Sequence, residues 1–467
     1  MHSSKIRMAL GVGGLALATA FLPAIAPAVA AGTTAAVTTS DWPAYGRNPS
    51  HSSASFGDST ITTTNAASLS PAWQITSGAR FDASPTVVGN VLYIGDRNAK
   101  LYALNASTGA TIWTKQLDKG SSAVCAAKGI VGTATVDAGV VYAPGAHFLY
   151  ALDAATGAQK WKTAIGPATT AGAGLYFNWG SPTVAGGRIF MGLAANCESH
   201  LIRGGVVSLS QSTGAVQHTY YAVRPGTVGA SVWSSEASDG TSVWATTGNP
   251  DPTGTTIDDA YSIVRLAAST LKKVDKWTVP AGQTQDLDFG SSPTLFANTA
   301  NTVKLVGACN KNGKLYVFNQ ANLAAGPVWS RAVTGSAFSG TGFCITAPVW
   351  DFSARKLFIA AQTRTLGPGV TGVVYQLNPD NGAVVWRQTL ACGVTGTAVV
   401  NGLTNVLAVG QANCPSGTPP SVKLYDEMTG ALLGTLPAQG NVFAQPVFAN
   451  GHLYVADEGG ALTAYAP

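Results

Sequence analysis

Five short stretches of this 467-residue chain carry residue types that can do chemistry together. They are Asn196-Cys197-Glu198 with Arg203-Gly204-Gly205 and, further on, Trp233. Then come Thr247-Gly248-Asn249-Pro250, Asp286-Leu287-Asp288-Phe289-Gly290 and Asn310-Lys311-Asn312-Gly313. Three carboxylates (Glu198, Asp286, Asp288) and the amide oxygen of Asn249 are hard oxygen donors of the kind that hold Ca²⁺ or a similar cation. Taken singly, each stretch reads as a turn, because Asn, Asp and Gly dominate turns for backbone reasons. The six histidines (His2, His51, His147, His200, His218, His452) are scattered. None lies in a Gly-x-Ser-x-Gly or His-Glu-x-x-His setting, so the familiar hydrolase motifs are absent.

What must position these residues is a repeat. Ser84 to Leu117 alternates apolar residues (Val87, Val91, Tyr93), turns, alternates again (Leu101, Ala103), passes Thr108-Gly109 and ends in a strand with Trp113. Period-two alternation between Gly, Asn and Asp clusters predicts short strands joined by tight turns. The module recurs near Ala134, Ser181, Ser234, Ser292, Ala347, Thr397 and Gln445. A unit of about 40–50 residues favours a propeller over a sandwich. The last module stops at Ala464-Tyr465 without its closing Trp strand, while Pro71-Ala72-Trp73-Gln74-Ile75 stands alone before the first. Pairing the two closes the ring and removes an open edge. The expectation is an all-β, eight-bladed propeller of four-stranded antiparallel blades over residues 41–467, its last blade closed by the N-terminal strand. Seven blades is the alternative, if the fourth or seventh repeat is irregular. The tryptophans of the outer strands (Trp73, Trp113, Trp161, Trp277, Trp329, Trp386) are expected between neighbouring blades, where an indole buries a large apolar area.

Composition agrees. Only 10% of residues are charged and 54 are Gly, which suits many short strands and turns. A net charge of +5 without a Lys/Arg cluster gives nucleic-acid binding no support. Lys5 and Arg7 precede an apolar run from about Met8 to Ile25, and Ala28-Val29-Ala30 fits a cleavage site. Residues 1–30 therefore read as a secretory signal peptide, with a retained membrane anchor as the alternative. Residues 31–40 read as a flexible start. The mature chain is expected outside the cell, with no membrane span. Six Cys in an exported chain imply about three disulfides, and sequence alone leaves fifteen pairings. Cys125, Cys344 and Cys392 fall before a blade's first strand, and Cys197, Cys309 and Cys414 near the end of its second. These loops share one face, which makes Cys125–Cys197, Cys309–Cys344 and Cys392–Cys414 plausible pairs.

The Leu-Asp…Thr-Gly…Trp repeats and the opening Asp41-Trp42-Pro43-x-Tyr45-Gly46 resemble those of quinoprotein alcohol dehydrogenases, including polyvinyl alcohol dehydrogenase-like proteins. In that family eight blades surround pyrroloquinoline quinone and a metal ion. Cys197-Glu198-Ser199-x-x-x-Arg203-Gly204 is similar to a family segment whose Glu binds the metal, and Thr247-Gly248-Asn249 to one whose Asn does. The resemblance makes Asp286 the general base and a metal ligand, and Asp288 the extra ligand that favours a lanthanide over Ca²⁺. It puts Trp233 under the quinone, Lys311 on its oxygens, and Arg203 beside the cofactor. It further implies a small or polymeric alcohol as substrate and an external electron acceptor, since the chain has no haem segment. The sequence departs from the family at Cys125, which is followed by Ala126-Ala127 instead of a second Cys. The family's adjacent-Cys ring above the quinone is therefore missing. The repeats are shared with propellers that bind no cofactor, so the other reading is a non-catalytic extracellular scaffold.

Overall fold

In the computed structural model the described residues are 40–120, 125–166, 175–251, 257–280 and 286–467. The expected signal peptide and nearly all of the expected flexible start lie outside them. Among the described residues the regular structure is antiparallel sheet, one short parallel pairing of Ala54–Ser55 with Val399–Asn401, and two single 3₁₀ turns, Ala66–Ser68 and Leu323–Ala325. Eight sheets form eight blades, as the repeat predicts, and the fourth and seventh are as complete as the others. The first blade comprises Thr86–Val88, Val91–Gly95, Lys100–Asn105 and Thr111–Gln116, each hydrogen-bonded to the next. In the eighth, Val447–Ala449, His452–Ala456 and Ala461–Ala466 are completed by Ser70–Thr76, with Trp73 opposite Ala464. The ring closes through its two ends, and the seven-blade alternative falls. Among the described residues no helix is long and apolar enough to cross a membrane.

The Thr-Gly…Trp pattern has a direct packing cause. The Trp73 indole lies over Gly109 of the first blade and donates to the Ala106 carbonyl at 2.9 Å. Trp113 repeats this on Gly157 and Ala154, and Trp329 on Gly382 and Pro379. A Cβ on Gly109 would meet the Trp73 ring at 2.7 Å, and its φ of +70° is one that Gly adopts freely. Six of the eight outer strands carry such a Trp, and each of the six is fastened to the next blade's turn by an indole over a glycine.

At the axis the recurring Ser-Pro-Thr forms two hydrogen-bonded belts. In the first, the Ser84 N–H donates to Thr133 Oγ1, Thr133 to Ser181 Oγ, Ser181 to Ser235 Oγ and Ser235 to Ser292 Oγ, all at 2.9–3.0 Å. Gln445 N–H closes onto Ser84 Oγ at 2.9 Å. In the second, the Thr86 hydroxyl donates to the Ala134 carbonyl and Thr135 to Pro182, both at 2.6 Å. Inside the belts runs a strap, residues 42–55. Its carbonyls accept from innermost-strand N–H groups of six blades: Val87, Val136, Ser238, Leu295, Trp350 and Val400. The strap satisfies the backbone groups that the innermost strands turn towards the axis.

The three disulfides are Cys125–Cys197, Cys309–Cys344 and Cys392–Cys414, the pairs expected from the loop positions.

Candidate active site

The site is built where blades four and five face the axis. Thr246 ends a strand, and the Thr247 hydroxyl donates to Asp259 and Ser262 carbonyls at 2.6 and 3.1 Å, which fixes the turn that follows. Gly248 donates to the Ser231 carbonyl at 2.7 Å, and a Cβ there would meet that oxygen at 2.8 Å and Asp288 Oδ2 at 3.3 Å. Only a glycine lets the Asn249 turn approach so closely. In the next blade Phe289 bridges Asn310, the Lys311 N–H donates to the Asp288 carbonyl at 3.0 Å, and Asn310 Nδ2 donates to the Leu287 carbonyl at 2.9 Å. The two turns that carry Asp288 and Lys311 are thereby held as one unit.

The side chains converge on Lys311. Its ammonium lies 2.7 Å from Asp288 Oδ1 and 2.5 Å from Asp286 Oδ1, and 5.1 Å from the centre of the Trp233 ring. Trp233 Nε1 donates to Asp288 Oδ2 at 2.8 Å, and Asn249 Nδ2 to Asp286 Oδ1 at 3.0 Å. Asp288 is only 1% exposed, whereas Asp286 is 61% exposed. Burial pushes the Asp288 carboxyl above its usual range, against the pull of Lys311. At Asp286 desolvation also pushes upward, but the hydrogen bonds from Lys311 and Asn249 win and hold it below the usual range. Desolvation would lower Lys311, yet Asp288 and Asp286 outweigh it and keep the ammonium charged. Glu198 joins this group through a side-chain hydrogen bond with Asn249; desolvation and then the nearby Asp288 raise its carboxyl. Burial and the same aspartates push the Tyr261 hydroxyl up to about 12.

These residues wall part of a cavity of ≈ 460 Å³ on the axis. That is room for a small ligand. Glu198, Trp233 and Lys311 line it directly, and Asp288 and Asp286 are bonded to Lys311, with Asn249 bonded to Asp286. Gly290 shapes the wall: a Cβ there would meet the Trp233 ring at 2.6 Å and Ile345 at 2.5 Å. Arg203 is placed elsewhere. Its guanidinium stacks on Tyr221 at 3.9 Å and Nε donates to the Val223 carbonyl at 2.8 Å, and it does not line the cavity.

The donor set fits a hard cation. Three carboxylates face one lysine, which leaves negative charge in excess when all are ionised. The buried Asn249 Oδ1 has no hydrogen-bond partner among the described residues. Glu198, Asp286 and Asp288 are not already gathered at metal-ligand spacing, since among the described residues only Cys125, Cys197 and His200 bring three such ligand atoms within 4.8 Å of one another. Those two sulfurs are bonded to each other, so that trio is no metal centre as it stands.

Sequence reasoning did not find the opposite wall. Tyr45 of the strap lines the cavity, its hydroxyl 3.0 Å from Thr397 Oγ1. Arg80 lies across from Lys311 on the cavity's far side of the ring, paired with Asp82 at 3.2 Å and Glu458 at 3.6 Å. The belt hydroxyls of Ser84, Thr133, Ser181 and Thr397 also line it. Ser84 and Ser181 belong to the repeated Ser-Pro-Thr, which reads as a strand start until the ring is assembled, whereas Thr133 and Thr397 stand in Gly-Thr-Ala and carry no such signal.

The fold has known counterparts. A quinohemoprotein alcohol dehydrogenase, ADHIIG from Pseudomonas putida HK5, superposes with a TM-score of 0.76 at 18% identity, over 92% of this chain and 80% of that one. A europium-containing methanol dehydrogenase superposes at 0.77 and 15%, over 92% and 98%. BamB from Moraxella catarrhalis superposes at 0.57 and 16%, over 85% and 98%. No curated protein sequence matches the chain. A family model described as outer membrane protein assembly factor BamB matches residues 57–220, 126–345 and 370–467. With most of its length matched by that model, and with the fold of an alcohol dehydrogenase-like propeller, the chain belongs to the PQQ_2 family of β-propeller proteins.

Proposed function

We propose that this protein is a secreted quinoprotein dehydrogenase that oxidises alcohols, polymeric ones such as polyvinyl alcohol included, and passes the electrons to a separate acceptor. The observation that carries the reading is the convergence of Trp233, Lys311, Asp286, Asp288 and Asn249 at one wall of an axial cavity. Pyrroloquinoline quinone fits in kind, being flat and anionic, against the face of Trp233 cleared by Gly290 and within reach of the Lys311 ammonium. Glu198, Asn249 and the two aspartates would hold a Ca²⁺ or lanthanide ion. When bound, the quinone supplies the redox chemistry and the cation polarises its carbonyl.

The chain's own residues have distinct tasks. Asp286, ionised and exposed, accepts the proton of the substrate hydroxyl as general base. Lys311 holds that carboxylate in place and presents positive charge where oxygen charge develops. Asp288, buried and bonded to the Trp233 N–H and to Lys311, fixes both of those side chains. The strap and the belts rigidify the wall around them.

A second reading is a non-catalytic scaffold, which the assembly-factor description of the matching family favours. Reconstitution separates the two. The mature protein is titrated with pyrroloquinoline quinone plus Ca²⁺, and separately La³⁺, by calorimetry, and assayed for dye-linked alcohol oxidation. Cation-dependent binding lost in Glu198→Ala and Asn249→Ala, with turnover, supports the enzyme; absence of binding with either cation leaves the scaffold.

A further inference from the structure

The connection that carries Glu198 is long. It leaves the strand Arg188–Leu193 and rejoins the sheet at Gly205. Asn196 donates to the Leu175 carbonyl at 2.7 Å, which anchors the entry. Beyond it, His200 N–H turns back on the Cys197 carbonyl at 3.3 Å, and Gly204 donates to Gly229 at 2.9 Å near the exit. Between these ties the strongest link to the rest of the molecule is covalent. Cys197 is bonded to Cys125, 72 residues earlier in the chain, on the loop that enters the second blade. Cys197 and Glu198 line the cavity side by side.

We infer that the Cys125–Cys197 disulfide is a redox-sensitive latch that positions Glu198 on the cavity wall. As a statement about cation binding it rests on the function proposed above; as a statement about the loop it does not. Its surroundings suit reduction. Cys197 is partly exposed, while both sulfurs of Cys309–Cys344 belong to fully buried residues. Ser199 Oγ lies 3.2 Å and His200 Nδ1 3.9 Å from Cys197 Sγ, and the two are 3.0 Å apart, all on the solvent side. A dithiol supplies two electrons and two protons: the Sγ–Sγ bond breaks, both sulfurs end as thiols, and the dithiol closes to its own disulfide. Ser199 and His200 stand where a proton can pass to the departing Cys197 sulfur. Breaking the bond removes the covalent tie next to Glu198 and leaves its side chain only the hydrogen bond with Asn249, so Glu198 loses its fixed place. This arrangement differs from an adjacent-Cys ring, because the constraint falls on a cavity-wall carboxylate and spans two blades.

The test uses the full mature chain, the Cys125→Ser/Cys197→Ser double variant and, as control, Cys392→Ser/Cys414→Ser. Amide hydrogen exchange over 195–203 is read first. The latch predicts exchange at least roughly tenfold faster in the first variant and unchanged in the control, with the blade strands protected in both. Treating the native chain with a dithiol should reproduce the acceleration. Terbium binding, read by luminescence sensitised through tryptophan, should then weaken at least roughly tenfold in the first variant alone. Unaltered exchange at 195–203 overturns the latch. Native chain that binds no terbium, with accelerated exchange in the variant, overturns the cation reading and keeps the latch. Accelerated exchange with unaltered terbium affinity overturns the positioning of Glu198.

Discussion

Glu236 is a carboxyl that the fold accommodates poorly. It takes the place that Pro85, Pro182 and Pro293 hold in the Ser-Pro-Thr repeat, next to the cavity-lining Ser235. It is fully buried, and neither side-chain oxygen has a hydrogen-bond partner among the described residues. Burial pushes its carboxyl from 4.5 up to about 8, with its own backbone amide pulling weakly the other way. A carboxyl raised on folding binds a proton in the folded state that the unfolded state has released. Its contribution to stability is therefore intact below the unfolded value and is lost as pH rises through the interval between 4.5 and about 8. Each pH unit in that interval costs about 1.4 kcal/mol. From pH 5 to pH 7 the native chain should lose about 2.5 kcal/mol that a variant with a non-titrating residue keeps. Glu236→Gln preserves the shape and removes the titration. Urea denaturation at pH 5, 6 and 7 on both proteins gives the difference curve, in which every other titrating group cancels. The gap between variant and native protein should shift in the variant's favour across the series. Parallel curves would refute the reasoning and place a partner or a water chain on that carboxyl.

Three further outcomes follow from the same packing. Lys311→Met strands Asp288 as a buried unpaired charge and should cost about 3–5 kcal/mol in chemical denaturation, much of it recovered by adding Asp288→Asn; equal stability of the single and double variants would show that the pair is not coupled. Gly109→Ala forces a Cβ onto the Trp73 ring at a φ of +70° and should destabilise the ring closure by about 1–3 kcal/mol, seen as a lower denaturation midpoint. His51, in the strap, donates its Nδ1–H to the Pro293 carbonyl at 2.9 Å, and burial pushes its imidazole down to about 4. A lowered histidine contributes fully above its unfolded value of 6.5, and that contribution is lost as pH falls towards about 4. His51→Gln should therefore flatten the acid limb by up to about 3 kcal/mol over that window, measured by the same denaturation series.

The fold was legible because its cause is local and repeated. An outer indole needs a glycine in the neighbouring blade's turn, so Gly and Trp recur at similar offsets along most of the chain. The orphan Trp73 strand was readable because the last module stops without its closing strand and one such strand stands alone before the first. The site was legible only as far as blades four and five, where turn chemistry and ligand chemistry use the same residues. Arg203 shows the limit. Its position beside Glu198 in the chain says nothing of direction, and the parallel bridge to Gly229 turns its guanidinium onto Tyr221 instead of the cavity. Arg80 and Tyr45 were invisible for the opposite reason. They come from the closing blade and the strap, more than a hundred residues from Glu198, and reach the axis only because the ring returns to its start. The cavity is therefore a product of closure. A propeller that failed to seat Ser70–Thr76 on Ala461–Ala466 would keep the Lys311–Asp286–Asp288 cluster, which blades four and five build alone, and lose the wall that faces it. Cation binding at the cluster and quinone binding across the cavity should thus separate in a Trp73→Ala variant. The first should persist while the second weakens, and the same calorimetric titration reads both.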